Sequence, residues 1–434
     1  MGPGLKLALA AGVAAAATAA TAQPPQKVTG PVAVYWMSAA TQSGFGMPGM
    51  GGGGGRPSMG AMMGAMMGGA GGGATKSLTL QLGSSQTNAA PSAEHLPPQG
   101  LGAGPSLPLL TPHIEPSKPA PVEHEEVPRE YQRPKGKMLI FWGCGQHARP
   151  GQPLVIDFAQ MDPAKMKAGQ IPAGLAALRG FDYRHMDPPS PWRNKTYGDW
   201  PNEKARTQIP SNGSLVGDHT IQGNYSPTIK LKLDEDQDFL GPLNLTTNAK
   251  QPGGWATLGW NLVGNAQAYL ATAVGGGNDT VVMWTSSDLQ SAAFAMPDYL
   301  SNSEITRLVA NRALMGPATK TCDVPKEVLD AMPQGLVQMV AYGGEQNFAY
   351  PPRPQDPKVP WNIQWEVKVR YRSATGGLLG MEMPGAMGGR GGYPGGAPPS
   401  RGGQPQQPQQ PPQRPSAADI LKKGILGGAL PFPH

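Results

Sequence analysis

Glycine and proline decide how much of this chain can pack. The 434 residues hold 61 Gly and 49 Pro, about a quarter of the total, a level typical of low-complexity sequence. They are concentrated in patches. Residues 44–74 are almost entirely Gly, Met and Ala, and residues 90–134 are rich in Pro. From Gly376 the chain turns Gly/Met-rich and then Pro/Gln-rich (QPQQPQQPPQ). Such segments cannot recover their ordering entropy by burying apolar side chains. Roughly 280 residues are left to build cores, enough for two modest domains.

Those residues read as strands. Residues 32–37 (VAVYWM) form a β-branched and aromatic block, and 77–82 (SLTLQL) alternate with Leu78, Leu80 and Leu82 on one face. Loop-closure cost grows slowly with length, so these two are expected to pair across the Gly/Met insert. Residues 137–142 (KMLIFW) and 154–158 (LVIDF), with Pro150-Gly151 between them, are expected to lie side by side. Residues 228–233 (TIKLKL) close the first set. Residues 90–134 and 188–212 read as irregular, and 164–178 as a short broken helix. In the second half, 280–285, 337–342 and 365–371 are strand candidates. In the last, Trp365, Val367, Val369 and Tyr371 share one face while Glu366, Lys368 and Arg370 are expected to face water. A helix is expected at 303–314 with Ser303 as its N-cap.

The expected class is mainly β: two β-sandwich-like modules with long disordered inserts and a disordered tail. The division runs 1–22, 23–233, 234–375 and 376–434. The last segment ends in a short amphipathic stretch with Ile420, Leu421, Ile425 and Leu426.

Leu258, Trp260, Val263, Ala266 and Tyr269 fall at the spacing of the fibronectin type III signature, which this stretch resembles. In that family a strand reading Leu-x-Trp is followed by a Val-x-Gly-Ala turn and a strand reaching a Tyr. Asn265 stands where the turn Gly is usual, and Asn tolerates the left-handed backbone such a turn needs. The resemblance implies a sandwich of two antiparallel sheets with Trp260 in its core.

Residues 1–22 read as a secretory signal peptide. Lys6 precedes an Ala-rich apolar stretch, and Ala20-Thr21-Ala22 places cleavage before Gln23. The stretch is too short and too Ala-rich for a membrane anchor, and no Cys stands at the cleavage region to carry a lipid. The mature chain is therefore expected, without a transmembrane anchor, in the periplasm of a Gram-negative bacterium or outside the cell. In an oxidising compartment Cys144 and Cys322 are read first as a disulfide, with two buried thiols as the alternative. Cys144 and His147 have the spacing of half a metal site, but no second half is evident.

Little else in the sequence points to chemistry. The formal charge of +6 is scattered without a basic stripe, so nucleic acid is not an expected partner. His95, His113 and His124 lie in the Pro-rich stretch, His147, His185 and His219 are isolated, and His434 is terminal. No H-E-x-x-H or G-x-S-x-G occurs. Asp234, Asp236 and Asp238 alternate as at the start of a calcium loop, but Phe239 and Leu245 stand where an EF-hand needs Gly and Glu. Met47, Met50, Met59, Met62, Met63, Met66 and Met67 repeat an M-x-x-M spacing. Thioethers suit Cu(I), and this tract resembles the Met-rich segments of copper-handling proteins. Tyr183, Trp192, Tyr197 and Trp200 are a candidate protein- or carbohydrate-binding platform. The reading adopted is a non-enzymatic envelope or secreted interaction protein, needing no cofactor. The rivals are a periplasmic Cu(I)-binding protein, a calcium-stiffened rod, and an enzyme with a non-sequential site.

Overall fold

The computed structural model describes residues 26–44, 73–112, 136–158, 184, 186–277, 279–292 and 296–381. The chain is mainly β. Its backbone is a nine-stranded sheet built from β2 (Ala33–Gln42), β3 (Thr75–Ser84), β6 (Lys137–Trp142), β7 (Leu154–Asp157), β8 (Thr196–Trp200), β13 (Ala268–Gly277), β14 (Thr280–Thr285), β16 (Gly335–Tyr350) and β18 (Trp365–Leu378). Their order is β7-β6-β14-β13-β16-β18-β2-β3-β8. Neighbours are antiparallel except at β14–β6 and β18–β2, which run parallel.

Two smaller antiparallel sheets cover one face. The first comprises β4 (Ala93–Leu96), β5 (Leu107–Leu109), β9 (Gly217–Gly223) and β10 (Ile229–Leu233), in the order β10-β9-β4-β5. The second comprises β11 (Leu245–Lys250), β12 (Ala256–Trp260) and β15 (Thr321–Val324), in the order β11-β12-β15. A parallel pair, β1 (Val28–Thr29) with β17 (Trp361–Asn362), lies at one end.

The pairing of β2 with β3 across residues 45–72 follows the side-chain period. Tyr35, Met37 and Ala39 sit opposite Leu82, Leu80 and Leu78, and all six are buried. A one-residue slip would turn this set outward, so the apolar alternation holds the register whatever lies between the strands. β6 and β7 form the expected antiparallel neighbours.

Strand pairing crosses the division drawn at 233/234. β18 joins β2 over ten residue pairs, and β6 joins β14 over six. The inner faces of both halves therefore form one continuous apolar cluster, from Leu82 and Trp200 through Val367 to Trp260 and Val324. Local periodicity identifies strands but carries no information about which distant strand lies alongside.

Three local expectations are corrected. Residues 90–112 contain β4 and β5, because His95, Leu107 and Leu109 find buried partners across the sandwich. Residues 188–212 contain β8. The helix α1 spans Asn302–Ala310 with Ser301 as N-cap, its side chain accepting from the Glu304 amide at 3.2 Å. Capping from 301 lets Ile305 and Leu308 face the sheet. A second helix, α2 (Lys326–Ala331), follows β15. Among the described residues no helix is long and apolar enough to cross a membrane. Residues 1–22, 164–178 and 416–430 lie outside the described residues.

Candidate ligand-binding face

The nine-stranded sheet has a second face, turned away from the two covering sheets, and its centre carries a row of cations. On β18, Trp365, Val367, Val369 and Tyr371 point inward and are buried, as the alternation requires. Lys368, Arg370 and Arg372 point outward. They are half-buried rather than solvated, as is Glu366 on the same face, which corrects the expectation for Glu366, Lys368 and Arg370. The cause is their neighbours on the same face. The parallel register sets Trp36 beside Lys368 and Ser38 beside Arg370, and Tyr299 comes in from the segment before α1.

These groups are interleaved. The Arg370 guanidinium lies 4.7 Å from the Trp36 ring centre and 4.4 Å from that of Tyr299. Lys368 Nζ stands 5.5 Å from Trp36, and the Arg372 guanidinium 5.3 Å from Tyr299. A cation over a ring face is attracted by the ring quadrupole, more so when partly desolvated. Lys368 Nζ donates to Glu345 Oε2 at 2.6 Å and to Asn347 Oδ1 at 2.8 Å. Arg372 pairs with Asp298. Arg370 Nε donates to Ser38 Oγ at 2.6 Å.

A β-bulge supplies Glu345. The register of β16 on β18 shifts between Tyr342 and Gly344, where Gly344 has φ 73°. Tyr342 lies opposite Arg372 and Glu345 opposite Arg370, both on the outer face. Without the extra residue Glu345 would point into the apolar core, so the bulge re-aims a carboxylate toward the cations. Burial holds the Arg370 guanidinium below its ordinary value. Burial also opposes the charge on Arg372, but Tyr299 and Asp298 outweigh it and hold that group above its ordinary value. Both side chains stay charged at any physiological pH.

The histidines occupy a different place. His95 on β4 and His219 on β9 are buried in the first covering sheet. Tyr35 Oη and His95 Nδ1 are 2.7 Å apart, His95 Nε2 and His219 Nδ1 2.8 Å, and His219 Nε2 and the Leu215 carbonyl 2.7 Å. The carbonyl can only accept, so His219 Nε2 carries a proton. With both rings neutral, His95 Nε2 then donates to His219 Nδ1, and the Tyr35 hydroxyl donates to His95 Nδ1. Burial pushes both imidazoles below their ordinary value and Tyr35 well above its own. Every ring nitrogen is satisfied, so this relay positions one sheet on the other. His113, His124, His185 and His434 lie outside the described residues.

Cys144, just after β6, and Cys322 on β15 form a disulfide with Cα atoms 5.3 Å apart. This removes Cys144 as a thiolate ligand, and His147 Nδ1 instead lies 3.0 Å from Glu327 Oε1. The half metal site is thereby corrected. Asp238 accepts from Ser214 Oγ at 2.6 Å and from the Leu215 amide at 2.7 Å. Asp234 and Gln237 form a capping box around a single 3-10 turn. Asp234 and Asp238 are thus occupied in folding the chain. Among the described residues no group of three or more His, Cys, Asp or Glu side chains could hold a metal ion. The methionines from Met47 to Met67 lie outside the described residues.

The remaining sequence candidates divide. Leu258, Trp260, Val263 and Tyr269 are buried, and Ala266 is half-buried against the same cluster. Trp260 and Tyr269 rings lie 5.7 Å apart, and Tyr269 Oη accepts from the Val263 amide at 2.9 Å. Asn265 takes φ 62°, the left-handed conformation expected there. Trp192 is 78% exposed, whereas Tyr197 and Trp200 are buried and point to opposite faces of β8. They form no platform, and Tyr183 lies outside the described residues. The cation–aromatic row escaped the sequence reading. Alternation signalled which β18 residues share its face, but nothing local named Trp36 or Tyr299 as their neighbours. No family model, curated protein or solved structure matches this chain.

Proposed function

We propose that this protein is exported and acts, without catalysing a reaction, as a macromolecular interaction module in the bacterial envelope or outside the cell. The observation that carries the reading is the row of Lys368, Arg370 and Arg372 interleaved with Trp36 and Tyr299 on the outer face of the long sheet. Arg and aromatic side chains are the residue types that dominate recognition surfaces, and here all but Tyr299 stand on strands. The Cys144–Cys322 disulfide supports passage through an oxidising compartment. The second half of the chain is proposed as a fibronectin type III-like sandwich. Its support is the antiparallel β11-β12-β15 sheet facing an antiparallel β14-β13-β16-β18 run, with Trp260 between them. That fold frames the site, and the site itself carries the function.

Site-specific photo-crosslinking in living cells tests this reading. A photoreactive residue at the exposed Asn347, on the outer face, is expected to give a discrete adduct. One at the exposed Lys230, on the first covering sheet, is expected to give none. Adducts from both positions alike, or from neither, would remove the outer face as the interaction surface. Retention of the protein in the cytoplasm in the presence of residues 1–22 would remove the address.

A further inference from the structure

Three cations share the outer face, but only two carboxylates pair with them. Glu345 pairs with Lys368 and Asp298 with Arg372. Arg370, between them, has a single hydrogen-bond acceptor among the described residues, the neutral Ser38 Oγ on its Nε. A guanidinium carries five N–H donors in a planar fork, so the donors on its two terminal nitrogens meet no protein acceptor among the described residues. Trp36 and Tyr299 hold the guanidinium between their rings. Beside it, Arg372 Nε is buried without a hydrogen-bond partner among the described residues. Buried donors in native proteins are nearly always matched, so the unmatched Arg372 Nε marks an incomplete polar network beside the Arg370 fork.

We propose that Arg370 is the receptor for one carboxylate group, presented by an acidic side chain of a protein partner. This rests on the outer-face reading above and adds the ligand's chemistry. The guanidinium fork matches the two oxygens of a carboxylate. Arg370 is the one of these three cations without a carboxylate partner among the described residues, and a single unpaired charge matches a monoanion, whereas the carboxylates of Asp298 and Glu345 nearby would repel a phosphate dianion. An acidic sugar fits less well. Sugar rings are gripped by open aromatic faces, and Trp36 is only 6% exposed with Arg370 already against it.

Isothermal titration of the full mature protein at low salt tests the proposal with three probes: a Glu-rich heptapeptide, polygalacturonate and inorganic phosphate. The peptide is expected to bind, with affinity falling as salt is added. Arg370→Gln should weaken it at least tenfold. Arg370→Lys, which keeps the charge and most of the stem, should weaken it several-fold because an ammonium cannot reproduce the fork. The lysine variant also keeps the test in hand if the glutamine variant does not fold. Equal peptide binding by wild type and Arg370→Lys would overturn the proposal. So would binding of polygalacturonate or phosphate with the peptide silent, or no peptide binding to the wild type. The crosslinking separates the two levels. An Asn347 adduct that persists in Arg370→Gln leaves the outer-face reading standing and removes the carboxylate receptor. Loss of the adduct from the wild type itself removes the reading.

Discussion

Over β2, β3 and β8 the long sheet is tied to its cover by a hydrogen-bonded relay, Tyr35–His95–His219–Leu215. Over β13, β14 and β16 the cover is tied by apolar contact around Trp260 and Tyr269 and by the Cys144–Cys322 bond. Both regions bury large apolar sets in one cluster, so neither relies on its tie alone. The difference lies in what each tie responds to. The relay demands one arrangement of protons, which makes it directional and sensitive to acid. The other tie is apolar contact and a covalent bond, neither of which takes up a proton in mild acid. A shared sheet thus carries one tie that responds to acid and one that does not.

The comparison can be broken most severely at Trp260. It is 3% exposed, and Trp260→Ala is expected to cost about 3–5 kcal/mol in denaturant unfolding. Its Nε1 is buried without a partner among the described residues, so Trp260→Phe should cost clearly less. Equal losses for the two would mean that the indole nitrogen has a partner.

Removing the covalent tie comes next. The bond closes a separation of 178 residues. The Cys144→Ala, Cys322→Ala double variant is expected to lose about 2–5 kcal/mol. A chevron that shows the same stability as the wild type would assign that region's cohesion to packing alone.

His95→Leu leaves the Tyr35 hydroxyl and His219 Nδ1 unpaired inside the first sandwich. Two stranded polar groups predict a loss of about 2–4 kcal/mol. The acid response sharpens the contrast. His95 and His219 are held below the ordinary imidazole value of 6.5, so the unfolded chain takes up protons first as the pH falls. The stability that the relay contributes is complete above about 6.5 and is lost progressively below it. Urea midpoints across pH 7.5 to 4.5 should fall for the wild type. In a His95→Leu, His219→Leu variant, that part of the slope should vanish. An unchanged slope would place the acid sensitivity in the carboxylates instead.

The smallest effect is expected at the turn between β12 and β13. Asn265→Ala places a Cβ-bearing residue without a local polar side chain at φ 62° and removes the Asn265 Nδ2 bond to the Asp236 carbonyl. About 1 kcal/mol is expected. Asn265→Gly should be close to neutral by the same measurement.

Much of this architecture is written locally. Strands β2, β3, β6, β14 and β18 are legible because their side chains alternate or cluster as apolar blocks, a pattern that needs no partner to be seen. The Leu258 to Tyr269 stretch is legible for a related reason: strand, left-handed turn and strand are all encoded within twelve residues. The cysteine pairing was legible as the first reading because the sequence holds only two cysteines. Strands β4 and β8 were hidden because neighbouring prolines dominate their segments. Their strand character is completed by partners far along the chain, as when Ala93–Leu96 pairs with β9 on one side while nearby β5 takes the other, and when β8 pairs with β3.

The sequence by itself determined which residues are apolar, where the period is two, and where glycine and proline exclude a core. Those are properties of a short window, and short windows are what local sterics and hydrophobicity act on. Only the tertiary structure decided that β18 lies parallel to β2, that a bulge at Gly344 turns Glu345 outward, and that Trp36 and Tyr299 enclose Arg370. Each of these depends on packing between segments far apart in the chain, and such packing energy belongs to the pair and to neither segment alone.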